Sequence, residues 1–164
     1  MTWSSARRLT QILTSALVAA SVAVGAVQAD SVRHCGALPC RSNGVPYVTD
    51  KGAIVILPGE NLVIAFEIEN GKIVGAMPNL TGGQLANTIE VSFKAIDSGM
   101  MLSLQSHLPM DVKYDVAMKA PDNRLVYTSS CPVRANLATF ESWPHLIKFL
   151  ELSNFRFQDG GACE

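Results

Sequence analysis

The sequence predicts an all-β chain: an antiparallel β-sandwich of immunoglobulin-like architecture, with about 7–8 strands, behind a cleaved signal peptide. Three observations carry this expectation. Apolar and polar residues alternate with period two from Ala53 onward. Clusters of Gly, Pro, Asn and Asp separate the alternating runs. No segment holds an apolar face at helical spacing over several turns. The cysteine–tryptophan–cysteine spacing of true immunoglobulin domains is absent, so the fold class rests on strands and turns alone. A small closed barrel is the alternative.

Residues 1–29 read as the signal peptide. Arg7 and Arg8 precede an uncharged run, and Ala26-Val27-Gln28-Ala29 places small residues where signal peptidase cuts. The apolar core is short for a membrane span, and no basic stop-transfer cluster follows it. The expected product starts at Asp30, is periplasmic or secreted, and keeps no stable membrane anchor. Removing two arginines and no acids leaves 11 basic against 14 acidic residues, a net charge of −3. A mildly acidic chain with no basic stretch argues against nucleic acid as a partner.

Residues 30–52 have no period and read as an irregular arm, leaving 53–164 as the sandwich domain. Within the domain, Leu62, Ile64, Phe66 and Ile68 share one face of a strand. Asn70-Gly71 then closes a hairpin, since both residues accept positive φ. Lys72 to Met77 returns, and "PNLTGGQL" is a loop. Ile89, Val91, Phe93 and Ala95 mark the next strand, and "DSG" at 97–99 turns it into Met100, Leu102 and Leu104. Val112, Tyr114, Val116 and Met118 follow, then the "PDN" turn at 121–123 and Leu125 to Ser129. Leu146 to Phe157 forms the last strand, with a bulge near Ser153-Asn154.

The four cysteines, Cys35, Cys40, Cys131 and Cys163, all follow the cleavage point, and an even count in an exported chain predicts two disulfides. Three connectivities are open. The short "GALP" loop favours Cys35 with Cys40, which leaves Cys131 for Cys163. The rival arrangement pins the arm to Cys131 and Cys163.

Candidates for chemistry are few. His34, His107 and Met110 offer imidazole and thioether ligands of the kind copper accepts. Cleavage after Ser31 would also place His34 third from the amino terminus, a square-planar Cu(II) geometry. Against this, Cys35 belongs in a disulfide, and Met100 and Met118 fall on core faces. A hydrolase is a second alternative, but Gly-x-Ser-x-Gly is absent. Its base would be His107 or His145, in a site assembled only in space. "TGG" at 81–83 lacks the Lys-Ser/Thr of a phosphate loop. Asn79-Leu80-Thr81 matches a glycosylation acceptor.

The stretch Tyr127 to His145 reads as a stapled corner. Pro132 ends ladder pairing, residues 133–142 cross over irregularly, and Phe140 and Trp143 fold inward. Its outer side, Glu141, Trp143 and His145, is the expected contact surface. The sequence therefore points to a non-enzymatic exported sandwich without a cofactor, binding a protein or glycan partner.

Overall fold

The computed structural model describes residues 33–35, 38–83, 86–161 and 163. The signal peptide read at 1–29 lies outside them. The described chain is all-β and carries no helix.

Two short strands, β1 (Arg33–Cys35) and β2 (Leu38–Cys40), pair as an antiparallel hairpin in the arm. The remaining strands are β3 (Ile54–Ile56), β4 (Glu60–Glu69), β5 (Lys72–Pro78), β6 (Thr88–Ile96), β7 (Gly99–Ser106), β8 (Val112–Lys119), β9 (Leu125–Thr128), β10 (Ala138–Trp143) and β11 (Phe149–Phe157). They form two antiparallel sheets. One runs β10-β7-β6-β4-β5 and the other β3-β11-β8-β9.

Period two explains the packing. Ile64 and Phe66 on β4, Ile89, Val91 and Phe93 on β6, and Leu102 and Leu104 on β7 are buried. Ile54, Ile56, Val112, Tyr114, Val116, Leu150 and Leu152 are buried from the other sheet, and all join one core. Phe155 of β11 bridges the layers, edge-on to Phe66 at 5.1 Å and stacked on Tyr114 at 6.0 Å. This sheet-on-sheet core is a sandwich arrangement.

The Asn70-Gly71 turn joins β4 and β5, both residues at positive φ (49° and 73°). The bulge in the last strand is present as a register shift between Ser153 and Arg156, with Asn154 at φ 51°.

Two expectations need correction. The arm is not wholly irregular. Besides its hairpin, Arg41 anchors it to the domain. The guanidinium is buried and donates to the Pro46 carbonyl at 2.8 Å and the Val55 carbonyl at 2.7 Å. It also pairs with both carboxylate oxygens of Glu60 and sits 4.0 Å over the Tyr47 ring. Residues 133–142 are not wholly a crossover either, because β10 begins at Ala138. Thr139, Glu141 and Trp143 take the inner positions of β10, a polar-aromatic pattern that does not look like a buried strand face in sequence.

Candidate functional site

Cys35 bonds Cys40, and Cys131 bonds Cys163, with Cα separations of 5.6 and 4.2 Å. The first closes the arm hairpin. The second ties the C-terminal tail to the point where the chain leaves β9. Two disulfides fit an oxidising, exported environment. Among the described residues, no helix is long and apolar enough to cross a membrane.

The corner is organised by a carboxylate that turns inward. Glu141 Oε1 accepts from the Tyr114 hydroxyl at 2.8 Å and from the Cys131 N–H at 2.9 Å. The buried Lys113 ammonium donates to the Ser130 carbonyl, and the Ser130 hydroxyl donates to the Tyr114 carbonyl at 2.6 Å. This network joins β10 of one sheet to β8 of the other. Burial raises the Glu141 pKa, against the lowering effect of its two donors and of Lys113. Burial and the neighbouring Glu141 charge push Tyr114 well up. With two internal donors on Oε1, Glu141 braces the corner.

The other corner residues divide by strand parity. Trp143 is half-buried and packs against the core, whereas His145 is exposed. Phe140, expected to fold inward, points out and is 63% exposed, because it sits one residue out of phase with Glu141.

That outward turn places Phe140 on a groove of about 370 Å³ across the outer face of the five-stranded sheet. Strand register builds it. Asn61, Ser92, Ser103 and Phe140 are successive cross-strand partners on β4, β6, β7 and β10. Val63, Glu90, Gln105 and Ala138 form the adjoining row. The short serines make the floor, and Phe140 makes one wall. At its border His107 Nε2 lies 2.8 Å from Glu90 Oε1. Sequence reading missed this row because polar residues on outer strand positions look like an ordinary solvated face. The usable signal was Phe140, the aromatic in that row.

The copper alternative rests on His34, His107 and Met110. His34 is on β1 beside the oxidised Cys35, His107 is engaged by Glu90, and Met110 is partly exposed in the loop before β8. Among the described residues, no group of three or more His, Cys, Asp or Glu is arranged to hold a metal.

Comparison with protein-family models, curated proteins and solved structures returns no match.

Proposed function

We propose that the protein is a non-enzymatic, exported β-sandwich that binds a glycan along the outer face of its five-stranded sheet. The supporting observation is the row Asn61–Ser92–Ser103–Phe140. Sugar rings combine apolar C–H faces with hydroxyls that both donate and accept. An exposed phenyl ring serves the former, and Asn and Ser side chains, each donor and acceptor, serve the latter. Glu90 and Gln105 extend the polar side of the groove.

Export accords with the signal-peptide pattern at 1–29 and with the disulfides. We read the architecture as immunoglobulin-like in the broad sense: two antiparallel sheets around one core, with connections that change sheet. The Trp143–His145 corner is a second contact surface, suited to a protein partner, since His145 is exposed beside the half-buried indole.

Screening the oxidised domain on an array of soluble and immobilised oligosaccharides tests the reading. Binding that Phe140→Ala weakens at least about tenfold, in a protein that keeps its fold, is the expected result. Binding that Phe140→Ala leaves unchanged, or no binding to any glycan, overturns it.

A further inference from the structure

Among the described residues, four strands form the edges of the two large sheets: β10 and β5 of one, β3 and β9 of the other. An unpaired edge is a template for another strand, and folded proteins usually guard it. Three of these edges are guarded. β3 is covered by the arm, where the Val55 N–H donates to the Tyr47 carbonyl and Val48 bridges Ile54. β5 carries a register shift opposite Glu67 and ends in Pro78. β10 turns the charged Glu141 inward.

β9 has four residues, and among the described residues it shows none of these devices. Leu125, Val126 and Tyr127 are 39%, 40% and 76% exposed, and Leu125–Thr128 contains no charge, proline or glycine. Among the described residues, three of the nine exposed large hydrophobics, Leu125, Val126 and Tyr127, stand consecutively on this strand.

Hydrogen-bond parity shows what this edge presents. The Ala120 N–H donates to the Arg124 carbonyl, and Val126 stands opposite Met118. The Arg124 carbonyl and the backbone groups of Val126 and Thr128 are therefore directed to β8, and those of Leu125 and Tyr127 outward. A second copy related by a two-fold axis through Val126 would pair Leu125 with the other copy's Tyr127, and Tyr127 with its Leu125. Four backbone hydrogen bonds would form. Val126 would face Val126, and Arg124 would face Thr128. No like charges would be opposed, and apolar side chains would meet apolar ones.

We propose that β9 pairs with β9 of a second copy, joining two four-stranded sheets into one continuous sheet across a two-fold axis. A second copy is the fitting occupant because this register sets Leu125 against Tyr127 and Val126 against Val126 and opposes no like charges.

Sedimentation of the oxidised protein over a wide concentration range gives the first result, with a concentration-dependent dimer expected. Val126→Lys and Val126→Glu should each weaken the dimer at least about tenfold, because each places like charges opposite one another on the axis. Mixing the two variants should restore it. Amide exchange of the unmodified protein supplies a measurement that needs no variant. The Leu125 and Tyr127 N–H groups should become protected as concentration rises. A monomer at all concentrations overturns the proposal. So does a dimer that both variants leave intact, or one that leaves the Leu125 and Tyr127 amides unprotected, since its interface would lie elsewhere.

Discussion

A single carboxylate oxygen of Glu141 accepts from both the Tyr114 hydroxyl, at 2.8 Å, and the Cys131 amide, at 2.9 Å. The contact crosses from the edge of one sheet to an inner strand of the other. It also holds the residue that carries the C-terminal disulfide. The substitution that separates charge from hydrogen bonding is Glu141→Gln, whose carbonyl oxygen can accept both donors. Glu141→Leu removes the acceptor, leaves two donors unsatisfied, and should cost about 1–3 kcal/mol for each. Urea denaturation of the two variants checks the difference.

The pH dependence of stability follows from the same residue. The folded-state pKa of Glu141 is raised, mainly by burial. The folded protein then binds the proton more tightly than the unfolded chain does. Stability from this group is full below its ordinary value of 4.5 and falls as pH rises through the raised folded pKa. Asp111 and Asp115 act in the opposite direction. The Ala135 N–H and Arg134 lower the first, and Asn154 and Arg156 lower the second. Their stabilisation is present above 3.8 and is lost as pH falls through their folded values. Melting temperature against pH should therefore drop at acid pH in both proteins. Only the decline above 4.5 should flatten in Glu141→Gln.

Arg41→Ala should detach the arm. It breaks a buried ion pair, leaves Glu60 without its cation, and frees the Pro46 and Val55 carbonyls. Removing one partner of such a pair costs about 3–5 kcal/mol. Arg41→Lys should recover only part of this, because an ammonium cannot make the forked contact. Faster proteolysis within residues 41–53, together with a lower urea midpoint, is the expected readout.

Gly99→Ala should destabilise the corner from the other side. Gly99 has φ 140°, and an added Cβ would run into the Trp143 carbonyl and Pro144. The strained φ alone costs about 1–3 kcal/mol. Circular dichroism of the indole band should report the displaced Trp143 before global unfolding.

Replacing both Cys131 and Cys163 by Ser opens a cross-link of separation 32. Chain entropy sets the loss at about 3–4 kcal/mol, less any native strain that the cross-link carries. Calorimetry of the double variant beside the oxidised parent measures it.

Much of this architecture was legible in the residues. Alternation placed β4, β6, β7 and β8 because their inner positions are almost uniformly aliphatic or aromatic. Asn70-Gly71 fixed a hairpin, and the Ser153-Asn154 irregularity marked the bulge. β10 was not legible, because its inner positions are Thr139, Glu141 and Trp143, and Glu141 is tolerated there only through donors from distant parts of the chain. Arg41 was hidden for a similar reason. Its partner Glu60 lies 19 residues on, and nothing local announces a buried pair. The groove depends on which residues become cross-strand neighbours, so Ser92 and Ser103 gained meaning only once register was known.

The proposed saccharide site lies on the outer sheet face beside Phe140. The most direct measurement is amide and side-chain chemical-shift mapping on isotope-labelled, oxidised protein titrated with chitohexaose, cellohexaose and maltohexaose. Saturable shifts at Asn61, Ser92, Ser103 and Phe140 with at least one of them, abolished in Phe140→Ala, are the expected result. Shifts confined to Trp143 and His145, or no saturable shift with any of the three, would contradict it.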